Sequence, residues 1–208
     1  MAVWTIAAQE GTGGDRIAAE LAASACVPLL DRRSLALFAH ELEPELGVDE
    51  LEEVEERFGG RLRMLASSMA MTSGPAAATA AQELKLRQKL PELGRSVLTE
   101  AAREPCVIFA PAAFAALRDH PAAIHIRLHA PLACRIAAYQ RDHVVDRAHA
   151  EKAIKRDDHA KSAWVRSLYH ADLDDDSVFT LALDVSRFTP ERLVAVLLAA
   201  GGAAIAHA

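Results

Sequence analysis

Apolar and polar positions follow two rhythms along this chain. Short apolar-rich runs recur at residues 3–8, 27–30, 106–110, 123–129 and 178–184. Runs of that length bounded by turn residues predict strands, and a continuous one such as "CVIFA" predicts a strand buried on both faces. Between them, apolar residues return at helical spacing. Helices are predicted from Gly14 to Ser24, over 49–72, over 80–103 with an interruption near Pro91, from Pro131 onward, and over 146–158 and 158–170. Asp31 or Ser34 can cap the helix after the second strand by accepting free backbone N–H bonds. The last helix, "TPERLVAVLLAAG", opens with a Thr cap, Pro190 and Glu191 and stops at glycine, leaving a loose tail.

Buried strands alternating with helices predict an α/β fold, a three-layer sandwich around a five-stranded parallel sheet. The helical block at about 40–103 is long for one crossover and is expected to form a cap. Residues 141–175 are charge-dense and poor in apolar anchors, which predicts a lid. The full 208 residues are expected to make one domain.

Composition narrows the function classes. Hydrophobic residues make up 51% of the chain, enough for a full core, and their alanine bias suits close-packed helices. A net charge of −6 argues against a nucleic-acid partner, which calls for a basic patch. No apolar run reaches the roughly 18 residues of a membrane span, so no membrane partner is expected. Cys26, Cys106 and Cys134 have neither metal nor disulfide spacing and read as buried, reduced thiols of a cytoplasmic protein. The chain opens into a strand with no signal-peptide core, which agrees with that location.

The sharpest local feature is "AAQEGTGGDRIAAELA", residues 7–22, where strand, glycine turn and helix follow in order. The Walker A pattern is G-x-x-x-x-G-K-[ST]. Here Ala8 replaces the first glycine, Gly14 replaces the lysine, and Asp15 replaces the Ser or Thr that ligates magnesium. Backbone amides can still bind an anion, because Gly11, Gly13 and Gly14 tolerate positive φ and the helix adds its positive end. Gly11, Thr12, Gly13, Gly14 and Asp15 are therefore candidate phosphate-binding residues, with Arg16 as the substitute cation. Asp15 opposes them by repelling phosphate oxygens. The alternative is a plain strand-to-helix turn.

Across nearly the whole chain the order of motifs resembles the cytidylate kinase-like family, a nucleoside monophosphate kinase branch of the P-loop fold. The likeness rests on "QEGTGGDRIAAELA", "VPLLDRRSL", "IHIRLHAPLACRI", the charged helix "AEKAIKRDDHAKSAWVRSLYHADLDD" and "LALDVSRF". The resemblance implies a P-loop NTPase-like sheet with helical cap and lid, ATP as donor with Mg2+, and a cytidylate-like acceptor. It implies that Arg135 is the strongest candidate catalytic cation, that Arg156 and Lys161 follow from the lid, and that Asp158 fills the acid of the lid's Asp-x-x-Arg pattern. It matches Asp31 to the aspartate after the second strand, with Arg32 beside it, as acceptor-binding candidates. Two departures weaken the match. The family's Gly-Arg-Gly after the third strand is Ala110-Pro111-Ala112, and lysine stands where the lid has arginine.

The remaining chemistry is sparse. Asp172, Asp174, Asp175 and Asp176 lack EF-hand spacing and read as a solvated loop, and the nine histidines show no paired-ligand spacing, so no protein-held metal is expected. His125 is expected to pack within the sheet. Two functions remain: a small-molecule phosphate kinase, or a catalytically inactive kinase-shaped protein that binds a phosphorylated ligand or a protein partner. Gly14, Asp15 and 110–112 separate them. The expected partner is a nucleotide or small phosphorylated molecule, and a homodimer is left open.

Overall fold

The computed structural model describes residues 2–35 and 91–205. Its sheet has the order β2-β3-β1-β4-β5, where β1 is Val3–Ala8, β2 Leu29–Leu30, β3 Cys106–Phe109, β4 Ala123–His129 and β5 Leu181–Asp184. Every pairing is parallel, and β1 lies between β3 and β4, with Trp4 opposite Val107 and Ile124. All five predicted strands are present. Three are shorter than expected; ahead of β2 and β5 the chain still bonds the sheet, Val107 N–H donating to the Pro28 carbonyl at 3.0 Å and Thr180 N–H to the His125 carbonyl at 2.7 Å, without continuing the paired strand.

Alternation along the strands sorts the core into two faces. Trp4, Ile6, Val107, Ile124, Ile126 and Leu128 pack with α1 (Gly14–Ala25) and α5 (Pro190–Ile205). Val3, Cys106 and Ile108 face the other way, with Leu98 and the short helix α2 (Ala113–Ala116). Ala7 joins a third cluster with Phe114, Val165 and Phe179, where the two phenyl rings lie 4.5 Å apart. This cluster brings α4 (Arg147–Tyr169) onto the sheet. Ahead of it, α3 (Leu132–His143) follows β4.

Several expectations change. The two helices predicted at 146–158 and 158–170 are one helix, α4. At the expected junction, Asp158 and Lys161 are tied to Arg135 and Glu10 on other elements while the helix runs on through them. The predicted glycine stop at Gly201-Gly202 does not end α5, which runs to Ile205. Gly201 serves packing instead: a Cβ there would collide with the Trp4 indole, whose Nε1 donates to the Leu197 carbonyl at 3.0 Å. Of the three cysteines only Cys106 is buried, and burial pushes its thiol up to about 11. Cys26 and Cys134 are exposed, since each sits on the outer side of its helix or helix end. Within 141–175, the segment expected to form a lid, Ala150, Ile154 and Val165 of α4 are buried. Of the cap, residues 91–101 are helical, and Val97 and Leu98 are buried. The rest of the expected cap, including the helix predicted over 49–72, lies outside the described residues.

Candidate phosphate loop and adjoining cleft

The site lies at the carboxyl end of β1, the central strand, where open parallel sheets place ligands. Gln9 N–H donates to the Leu128 carbonyl at 3.0 Å, so the chain leaves the sheet still tied to β4. It then turns tightly. Thr12 N–H and Oγ both donate to the Gln9 carbonyl, at 3.3 and 2.6 Å. Thr12 is therefore a turn former, with its hydroxyl proton spent on backbone.

Three glycines then meet three separate demands. Gly11 has φ +80°, and a Cβ there would lie 2.7 Å from the Arg135 carbonyl oxygen. Gly13, at φ +69°, is the N-cap of α1 and offers no side-chain cap. The first-turn amides of Gly14, Asp15 and Arg16 have no intrahelical acceptor. They are backbone donors at the positive end of a 12-residue helix. Gly14 is buried, and a Cβ on it would run into the Ala8 methyl and the Phe109 ring. The two departures from the Walker pattern are thus one exchange. The methyl at Ala8 fills the space a side chain at position 14 would need.

Asp15 and Arg16 both point outward. The Arg16 guanidinium lies 3.2 Å from the Cβ position of Gly13 and reaches Asp142 at 3.5 Å. Its side chain is 68% exposed, so it can swing toward an anion at the loop.

The other side of the loop is closed by a charged staple. Arg135 is buried and donates from Nε to the Ala130 carbonyl at 3.1 Å, and from Nη1 to the Glu10 carbonyl at 3.1 Å and to Asp158 at 2.5 Å. The second oxygen of Asp158 accepts the Glu10 amide at 2.9 Å. Lys161 Nζ donates to the Glu10 carboxylate at 2.8 Å and to the Ala8 carbonyl at 3.3 Å. Asp158 does hold an arginine, but it is Arg135 of α3, and Lys161, one turn along α4, holds Glu10. Arg135 therefore stands as a positioning residue in this structure. Arg156 is 70% exposed and pairs with Asp157 at 2.8 Å, away from the staple.

Beside the staple, a cavity of about 360 Å3 opens on the α4 face of the sheet. Ala7, Ala8, Gln9, Pro111, Arg127 and Lys161 contribute to its lining, together with Asp158, His159, Ser162, Arg166, Leu173 and Asp174. Its volume lies within the range of small-molecule sites. Pro111, from the segment 110–112 that departs from the family pattern, adds an apolar wall.

Asp31 follows β2 at the sheet edge. It accepts the Ser34 N–H at 2.9 Å and the Ser34 hydroxyl at 2.8 Å, and these bonds hold its carboxyl below the usual range. It is a helix cap here, and Arg32 is exposed in the turn it caps. His125 is buried as expected. Its Nδ1 lies 2.8 Å from the Thr5 hydroxyl, and burial lowers its basicity. Among the described residues no group of three or more His, Cys, Asp or Glu side chains could hold a metal ion.

Sequence reasoning missed Glu10 and Arg127. Arg127 carried a usable signal: a charge inside a strand flanked by buried neighbours needs a partner. Glu10 carried none, because its three contacts come from residues more than a hundred positions away.

A glycine loop joining the central strand of a parallel sheet to a helix places the protein among the phosphate-binding α/β folds, and the family match makes that class P-loop kinase-like. The chain belongs to the cytidylate kinase-like family, whose profile matches residues 3–187. An uncharacterized protein from Eubacterium ventriosum ATCC 27560 is similar over 97% of this chain and 98% of its own, at 15% identity and a TM-score of 0.70. A shikimate kinase from Bacteroides thetaiotaomicron is similar over 94% and 96% of the two chains, at 14% identity and a TM-score of 0.49. A gluconokinase from Sinorhizobium meliloti 1021 gives 12% identity and a TM-score of 0.48, over 97% and 91%. No curated protein matches the chain. Family membership supports a small-molecule kinase-like function. Among the described residues no helix is long and apolar enough to cross a membrane.

Proposed function

We propose that this protein is a cytoplasmic small-molecule kinase that takes the phosphates of ATP on residues 11–16 and a small acceptor in the adjoining cleft. The observation that carries the reading is the uncapped start of α1. Its first-turn amides follow a glycine N-cap with φ +69°, a backbone arrangement that suits a phosphate. Gly14 lets the backbone come close where a side chain would block it. Arg16 supplies the mobile charge that the missing lysine would have supplied, and Asp15 limits affinity.

Phosphoryl transfer needs positioning and positive charge more than a covalent nucleophile. Bound ATP would supply the phosphoryl group. Amides 13–16 would orient its phosphates, and the staple of Arg135, Asp158 and Glu10 would fix the loop against α4. Magnesium would arrive with the nucleotide, held mainly by phosphate oxygens and water. The acceptor is a cytidylate-like or other small molecule.

A second reading has its own observation. Arg135 and Lys161 are both committed to carboxylates and backbone, at 2.5–3.3 Å. A protein that binds a phosphorylated ligand without turning it over would have that arrangement. Calorimetry with ATP, CMP and other phosphorylated metabolites, with and without magnesium, tests binding. Phosphorus NMR of mixtures that bind then tests transfer. Binding with conversion of ATP to ADP and a new phosphoester establishes the kinase. Binding without conversion establishes the second reading, and no binding removes both.

A further inference from the structure

Arg127 is the best-shielded cation of the cleft and has no part in the phosphate loop. It sits inside β4, opposite Ala7, and its side chain is only 12% exposed. Its guanidinium is held from outside by two carboxylates. Nη2 donates to Asp174 and Nη1 to Asp176, each at 2.5 Å, and these acids are 69% and 59% exposed. A planar fork with one oxygen on each prong is the pattern by which arginine binds a phosphate or carboxylate. The two oxygens come here from two side chains of one surface stretch, not from a partner buried with the arginine.

The same stretch covers a second cation. Asp172 reaches Arg166 at 3.3 Å, and Arg166 and Asp174 both line the cavity. Residues 172–177 also keep their own shape. The Asp174 amide donates to Asp172 at 3.0 Å, and the Ser177 hydroxyl to Asp175 at 2.6 Å. The turn therefore does not depend on Arg127 to stay folded. Asp174 and Asp176 are mostly in water already, so releasing the fork to another oxyanion costs them little desolvation while Arg127 keeps a partner.

We propose that Arg127 is the anion-reading residue of the acceptor site, and that Asp174 and Asp176 occupy its fork until the acceptor displaces them. The inference rests on the kinase-like reading and narrows its substrate class to an acceptor with an oxyanion, phosphate or carboxylate, distinct from the group that receives the phosphoryl. That favours another small molecule over a cytidylate, whose one phosphate is itself the receiver. The acidic turn then also acts as a selectivity filter, since a neutral acceptor cannot displace it.

The test is a 15N NMR titration of the protein with inorganic phosphate and, separately, with malonate. Amides near Arg127 and Asp174 report this site, and amides of residues 11–16 report the loop. In Asp174→Asn/Asp176→Asn, apparent affinity at the Arg127 reporters rises about fivefold for at least one anion. In Arg127→Met that response is lost, and in Arg127→Lys, which keeps the charge and fold but not the fork, it weakens. A gain for phosphate alone points to a phosphorylated acceptor, and a gain for malonate alone to a carboxylate. Unchanged affinity for both anions in the double Asn variant overturns the proposal, whether or not Arg127→Met folds. Loss of response at the loop reporters alone removes the phosphate-loop reading and leaves this site standing.

Discussion

The two flanks of the glycine loop are built from opposite materials. On the α1 flank the available donors are open backbone amides beside glycines, with one exposed arginine. On the α4 flank, Arg135, Asp158, Glu10 and Lys161 are tied to one another and to main-chain carbonyls, so charge is spent on architecture. The difference separates holding a loop from using it. A half-buried network whose charges face one another fixes shape, whereas an uncapped helix start has spare donors but does not fix its own shape.

The largest expected break is in the staple. Arg135→Met removes donors from Ala130, Glu10 and Asp158 together. Breaking a buried pair costs about 3–5 kcal/mol. Asp158 keeps 25% exposure, so urea unfolding should show a smaller loss, about 2–3 kcal/mol. A loss below about 1 kcal/mol would mean that the network is ornamental.

On the other flank, Gly14→Lys restores the Walker lysine but overpacks the loop against Ala8 and Phe109. Overpacking costs about 1–3 kcal/mol. Adding Ala8→Gly removes the methyl and should recover most of that stability, with tighter ATP binding than wild type. Equal thermal stability of the single and double variants would contradict the exchange between positions 8 and 14.

A smaller effect tests the sheet beneath both flanks. Burial lowers the His125 pKa below its ordinary 6.5, with nearby His120 acting in the same direction. The folded state then binds fewer protons than the unfolded chain. The stability His125 gives as a neutral ring is present above pH 6.5 and lost as pH falls below it. Melting temperature should therefore drop between pH 6.5 and pH 5 more steeply in wild type than in His125→Gln. Parallel curves would place the titration elsewhere.

The smallest effect belongs to Arg16. It is exposed and only loosely paired, so Arg16→Ala should leave stability within about 0.5 kcal/mol. It should weaken phosphate or ATP binding roughly fivefold, an effect that shrinks in high salt.

The frame of the molecule was legible in the sequence, because it depends on local rhythm. The strand bounds at 3–8 and 123–129, the glycine turn and the Thr-Pro opening of α5 are all short-range signals. Pairings across long separations were not legible. Nothing near Asp158 shows that its arginine is Arg135, and nothing near Gly201 shows that Trp4 occupies the space a side chain would fill. Asp31 illustrates the intermediate case. Sequence offered Asp31 or Ser34 as the cap, and the bonds from Ser34 to the Asp31 carboxylate decide for Asp31; any role with an acceptor depends on partners that sequence spacing cannot supply.

Phosphate recognition by backbone at Gly11 to Arg16 is the central claim, and calorimetry of ATP on wild type and Gly13→Val tests it most directly. Valine at φ +69° is strained, and its side chain enters the space beside the Arg16 guanidinium. A melting curve confirms that the variant is folded. Charge-assisted bonds contribute roughly 1.5–3 kcal/mol each, and two or three of them without a lysine give dissociation constants of about millimolar to high micromolar. The account predicts that affinity in wild type and no measurable heat in folded Gly13→Val. Equal binding by the two proteins would contradict it and leave the glycine loop as a turn.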